Sequence, residues 1–128
     1  MRVLIVEDEL VIAIGLEACL SEAGHQVVGI AHEAETALAL GDRLRPDLAL
    51  VDVHLVDGET GPQIARHLKD VGVPVLFMTA NADILPDDMA GALGVIPKPV
   101  AEHVLKDAVA WACAPDADPP KTLIVNRR

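Results

Sequence analysis

The sequence predicts an α/β fold built on a doubly wound, five-stranded parallel sheet, and three observations carry the prediction. Short apolar runs rich in Val, Ile and Leu alternate with segments whose apolar residues recur every three or four positions, as strands alternate with crossover helices. The connections are short and carry Gly, Pro and Asp, the residues that punctuate regular structure. Two of the runs end in carboxylates, as expected of strands buried on both faces whose carboxyl ends open onto a crevice.

Arg2-Val3-Leu4-Ile5-Val6 reads as the first strand and stops at Glu7-Asp8-Glu9. From Leu10 to Ala23 the pattern is helical, with Ile12, Leu16 and Leu20 on one face and Gly24 placed to follow the helix end. Gln26 to Ala31 is the second strand. Glu33 to Leu44 is the second helix, weakened but not ended by Gly41. Arg45-Pro46-Asp47 then introduces the apolar run Leu48-Ala49-Leu50-Val51, which delivers Asp52 at its end and breaks into a turn at Asp57-Gly58.

Thr60 to Asp70 carries Ile64, Ala65 and Leu68 at helical spacing and stops before Gly72. Val73 to Met78 is the fourth strand, with Pro74 near its start, where a missing donor is tolerated, and Thr79-Ala80-Asn81 leads into a loop. Asp83 to Leu93 is the weakest helix, interrupted by Pro86 and expected to be short or mobile. Gly94 to Pro97 is a clipped fifth strand, Lys98-Pro99 a turn, and Ala101 to about Ala112 the last helix.

Strand order 2-1-3-4-5 is one of the two common solutions for such a sheet. It makes the first and third strands neighbours, so Glu7, Asp8 and Asp52 should meet at their carboxyl ends.

At 128 residues and 52% apolar composition the chain can bury roughly two-thirds of its unfolded surface in one compact domain. The domain should span residues 1–114. Residues 115–128 form an extension: the Pro/Asp-rich spacer Pro115 to Pro120, then Thr122-Leu123-Ile124-Val125, a short strand expected to join a sheet edge in the same molecule or in a neighbour, which allows a homodimer. A formal net charge of -10 argues against direct contact with DNA or an anionic membrane, and the only basic pair is Arg127-Arg128. Cys19 and Cys113 have no metal-like spacing and read as reduced thiols. With no basic-apolar leader and no apolar run long enough to span a bilayer, the expected location is the cytoplasm.

Three converging carboxylates raise one another's pKa unless a cation intervenes. A hard divalent ion such as Mg²⁺ suits an oxygen-only donor set and typically shares its shell with phosphate oxygens. Asp is an established phosphoryl acceptor, Thr79 at the end of the fourth strand offers a hydroxyl, and Lys98 after the fifth offers a cation at the same sheet edge. Singly, each has an ordinary explanation as a cap, turn or surface residue. Their ordered conjunction points to phosphoryl chemistry.

With those residues in place, residues 1 to about 113 resemble the receiver domain of bacterial two-component response regulators, a flavodoxin-like fold. The resemblance implies that Glu7 and Asp8 are the acidic metal-binding pair, Asp52 the phosphorylated aspartate, and His54 the position whose backbone carbonyl joins the metal shell. It makes Thr79 the switch hydroxyl and Lys98 the phosphoryl-pairing lysine, followed by a Lys98-Pro99 bond that is usually cis. The implied donor is a sensor histidine kinase or a histidine phosphotransfer protein, and the implied cofactor is Mg²⁺.

The sequence also departs from the family. Val95 stands where an aromatic switch residue is common, Val56 replaces a usual proline, and Pro86 lies in the fourth helix. Rearrangement of residues 80–95 is therefore the expected readout. The expected function is a single-domain response regulator, not an enzyme, that signals through a downstream protein or drains phosphate from a kinase. The rivals are a phosphorylation-independent interaction module, a receiver fragment of a larger regulator, and a phosphatase. The phosphatase is disfavoured because His54, not a second carboxylate, lies two residues after Asp52. The other histidines, His25, His32, His67 and His103, are scattered and suggest no metal site.

Overall fold

The computed structural model describes residues 1–126; the basic pair Arg127-Arg128 lies outside the described residues. Strands β1 (Arg2–Val6), β2 (Gln26–Ala31), β3 (Leu48–Asp52), β4 (Val75–Thr79) and β5 (Gly94–Pro97) alternate with helices α1 (Leu10–Glu22), α2 (Ala34–Leu44) and α3 (Gly61–Asp70). Helix α4 (Glu102–Ala112) and a two-residue strand β6 (Ile124–Val125) complete the chain. The sheet order is β2-β1-β3-β4-β5-β6, parallel except for β6, which runs antiparallel to β5. The doubly wound 2-1-3-4-5 arrangement is thus present, extended by one strand.

Side chains alternate across the pleat, so each central strand feeds two cores. Leu4, Val6, Ala49, Val51, Val75, Phe77 and Val95 pack with Ala37 of α2 and with Ile64 and Leu68 of α3. Val3, Ile5, Leu48, Leu50, Leu76, Met78 and Ile96 pack with Leu16 and Leu20 of α1 and with Leu105 and Val109 of α4. Every residue of β3 and β4 is buried, which explains why those strands read as continuous apolar runs. Burying one large apolar side chain such as Phe77 stabilises the fold by about 1.5–3 kcal/mol.

The segment expected to be a weak helix over Asp83 to Leu93 is instead two single 3-10 turns, Ala82–Ile84 and Met89–Gly91. Pro86 has no amide to donate, and Met89, Ala90 and Gly91 take successive positive φ values of 49°, 51° and 83°, which ends any helix. Strand β4 begins at Val75, two residues later than expected, and ends at Thr79.

The extension returns to the domain. The Trp111 indole N–H donates to the carbonyl of Ala117 at 2.9 Å, Leu123 is buried in the α1/α4 core, and β6 pairs Ile124 with Val95 and Val125 with Gly94. Gly94 admits this strand, because a Cβ there would stand 2.6 Å from the Ile124 carbonyl oxygen. No helix among the described residues is long and apolar enough to cross a membrane.

Candidate functional site

Register builds the site. Val6 pairs with Val51 across β1 and β3, so Glu7 and Asp52 follow side by side at the carboxyl edge. Glu7 is fully buried, and Asp52 and Thr79 nearly so. Oxygens of Glu7, Asp8 and Asp52 all lie within 4.8 Å of one another. Thr79 pairs with Pro97 across β4 and β5, and the Lys98 amide donates to the Thr79 carbonyl at 3.0 Å, which carries the lysine to the same edge.

The Lys98 ammonium donates to Asp52 Oδ2 at 3.0 Å and to Glu7 Oε2 at 3.2 Å. Burial opposes its charge, but the hydrogen bond to Asp52 and the charges of Asp52 and Glu7 outweigh that and raise its pKa. Burial, reinforced by the nearby Asp52 charge, raises the Glu7 carboxyl from 4.5 to about 7, against the opposing pull of Lys98. Oxygen donors alone, close together and short of positive charge, form a set suited to a hard divalent cation.

The other expected residues are His54, which is exposed, and Thr79, which is buried. The His54 amide donates to Asp52 Oδ1 at 3.3 Å, while its half-exposed ring points away and pairs with Glu59 at 3.2 Å. The Thr79 hydroxyl is engaged with Asn81, accepting from its amide at 3.1 Å. The peptide bond between Lys98 and Pro99 is cis.

Two supporting residues escaped the sequence reading. A Cβ on Gly61 would stand 2.6 Å from the Val53 Cα and 2.9 Å from the Asp52 carbonyl oxygen, so α3 begins against the backbone that carries the site. Asp57 accepts from the Ala34 amide at 3.0 Å and from the Thr60 hydroxyl at 2.8 Å, tying the loop after β3 to the start of α2. The Ala34 and Thr60 hydrogen bonds hold the Asp57 carboxyl below the usual carboxylate range. Asp57-Gly58 was legible as a turn, but its partner on α2 was not.

Beside Lys98 a groove of about 530 Å³ runs between α1 and the β5–α4 connection, lined by Val11, Gly15, Cys19, Pro99, Val100 and Leu105 among others. Helix α1 also leaves Leu10, Val11 and Ile14 exposed.

A doubly wound parallel sheet with an acidic pocket and one lysine at its carboxyl edge defines an α/β protein whose charged groups gather where such folds bind their ligands. The profile of the family described as "Response regulator receiver domain" matches residues 3–110, and the chain belongs to that family of two-component signalling domains. The phyllosphere-induced regulator PhyR of Methylorubrum extorquens is 41% identical over 81 residues, 62% of this chain and 30% of that protein. The virulence transcriptional regulatory protein PhoP of Salmonella typhimurium is 40% identical over 83 residues, 63% of this chain and 36% of that protein. The chain thus spans about a third of the length of these curated relatives.

Among solved structures, the signal receiver domain of a modulated diguanylate cyclase from Desulfovibrio desulfuricans matches with a TM-score of 0.77 at 33% identity, covering 87% of this chain and 91% of that one. The response regulator PhyR from Brucella abortus matches with a TM-score of 0.70 at 30% identity, covering 91% of this chain and 53% of that one.

Proposed function

We propose that this chain is a phosphoacceptor whose Asp52 takes a phosphoryl group from a phosphohistidine on a sensor histidine kinase or a histidine phosphotransfer protein. The observation that carries the reading is one lysine, Lys98, held between Glu7 and Asp52 at the carboxyl edge of a buried parallel sheet. Glu7, Asp8, Asp52 and the backbone carbonyl of His54 would hold Mg²⁺, which when bound supplies positive charge to the phosphoryl oxygens.

One carboxylate oxygen of Asp52 attacks phosphorus in line. The P–O bond forms as the P–N bond of the donor breaks, and the departing imidazole keeps the bonding pair. Lys98 exchanges a carboxylate partner for a phosphoryl oxygen. The Thr79 hydroxyl gives up Asn81 and donates to another phosphoryl oxygen. The groove beside Lys98, with the exposed Leu10, Val11 and Ile14, offers the donor an apolar surface close to the acceptor. The phosphorylated surface then alters a contact with a downstream protein, or the chain drains phosphate from its kinase. As an alternative, the same chemistry serves the receiver part of a larger regulator, a reading favoured by the greater length of the relatives.

Intact-protein mass after incubation with acetyl phosphate or phosphoramidate and Mg²⁺ tests the acceptor. One phosphoryl group should be gained, and none with EDTA or in Asp52→Ala. Failure to gain it from either small donor and from a phosphorylated kinase would instead favour a phosphorylation-independent interaction module.

A further inference from the structure

Residues 85–93 carry helix signals that the fold does not use. Pro86 suits a first helical position, Asp87 and Asp88 suit a first turn, and Leu85, Met89, Ala92 and Leu93 recur at helical spacing. Yet Met89 and Ala90 sit in left-handed backbone, which is unfavourable for side chains with a Cβ. Ala90 is buried in the α2/α3 core, so the conformation is packed in place.

Two ties hold it. Arg66 of α3 reaches both carboxylate oxygens of Asp88 at 3.2 Å, and Asp88 Oδ1 accepts from the Ala90 amide at 3.0 Å. The second tie comes from the far end of the chain. Asn126 follows β6; its amide donates to the Leu93 carbonyl at 2.9 Å, and its side-chain Nδ2 donates to the carbonyls of Asp88 at 3.0 Å and Ala92 at 2.7 Å.

In a helix the Asp88 carbonyl would accept from the Ala92 amide. Here that carbonyl accepts from Gly91 and from Asn126, and the Ala92 amide turns to Met89 at 3.0 Å. Asn126 therefore occupies the acceptor that a helix through this segment needs.

We propose that β6 and Asn126 form a latch that keeps residues 86–93 out of helix, and that release of β6 from the β5 edge lets the segment wind against the same core. The latch stands on these contacts alone. That phosphorylation opens it rests on the reading of Asp52 above: a Thr79 hydroxyl drawn to a phosphoryl group gives up Asn81, loosening the start of the segment whose end Asn126 holds.

Two full-length variants open the latch from opposite sides. Asn126→Ala removes the side-chain donor. Gly94→Ala places a Cβ whose three nearest contacts all lie in residues 123 and 124. NMR should show faster exchange of the residue-126 amide and a move of the ¹³Cα shifts of residues 86–92 to helical values; Asn126→Asp stands in for either variant that does not fold. Persistence of left-handed shifts at Met89 and Ala90 after β6 is lost would overturn the latch, as would a β6 that stays paired in both variants. Wild-type chain shown by mass to be phosphorylated should give the same helical shifts. Phosphorylation without that change removes phosphoryl control of the latch, whereas a chain that takes no phosphoryl group counts against the Asp52 reading and leaves the variant result to judge the latch.

Discussion

Glu7 and Asp52 leave neighbouring strands side by side and share one cation, with Lys98 3.2 Å from the first and 3.0 Å from the second. The arrangement leaves more negative than positive charge around two largely buried carboxylates. It should therefore respond to protons, to a divalent ion and to loss of the lysine.

The proton response has a definite sign. The folded chain binds a proton at Glu7 more tightly than the unfolded chain does, because burial raises this carboxyl from 4.5 to about 7. The stability linked to it is full below the unfolded value and is lost as pH rises through the folded one. In EDTA, the melting temperature should fall between these limits relative to Glu7→Gln, which lacks the titration. Parallel curves for the two proteins would refute the assignment.

Mg²⁺ should compete with that proton. Near neutral pH its addition should raise the melting temperature and release protons, both effects weakening in Asp8→Asn and Glu7→Gln. Calorimetry in two buffers of different ionisation enthalpy would reveal the release. Identical enthalpies in both buffers would show that no proton is exchanged.

Lys98→Ala leaves two buried carboxylates without their shared cation. A loss of about 1–3 kcal/mol in metal-free urea unfolding is expected, together with a roughly 100-fold slower gain of phosphoryl mass. Stability and rate both at wild-type levels would show that Lys98 bears on neither.

Gly61→Ala forces its new methyl group against the backbone of Val53 and Asp52. Because backbone cannot swing aside as a side chain does, a cost of about 1–3 kcal/mol is expected, with displacement of the Asp52 amide signal in NMR spectra. An unshifted Asp52 resonance would mean that α3 moves and the site does not.

Trp111→Phe keeps the ring in the core but removes the donor to the Ala117 carbonyl. The expected loss is about 1 kcal/mol, with faster amide exchange confined to residues 114–126. Exchange that rises equally across the sheet would mean that the indole supports the domain as a whole.

The strands were legible because burial on both faces writes itself as uninterrupted apolar residues, and β1 and β2 occupy the residues expected of them. Glu7, Asp8, Asp52, Thr79 and Lys98 were legible as a set because each closes a strand or follows one, and the common strand order gathers such ends at one edge.

Residues 83–93 depart from their local pattern. Pro86 weakened the helix in the sequence, but the left-handed turn at Met89 and Ala90 is held by Arg66 and by Asn126, residues far away in the chain. Likewise, Leu123 to Val125 announced a strand without naming its edge, and Gly61 gave no sign that the Val53 backbone lay against it.

Outside residues 83–93 the sequence by itself determined the strands and helices to within a few residues, and which chemical groups stand at strand ends, since burial period, turn residues and side-chain chemistry are local properties. Only the tertiary structure decided which carboxylates share Lys98, where the C-terminal strand binds and which backbone is held out of helix. Those outcomes depend on contacts between residues distant in sequence, and a one-dimensional pattern does not record distance in space.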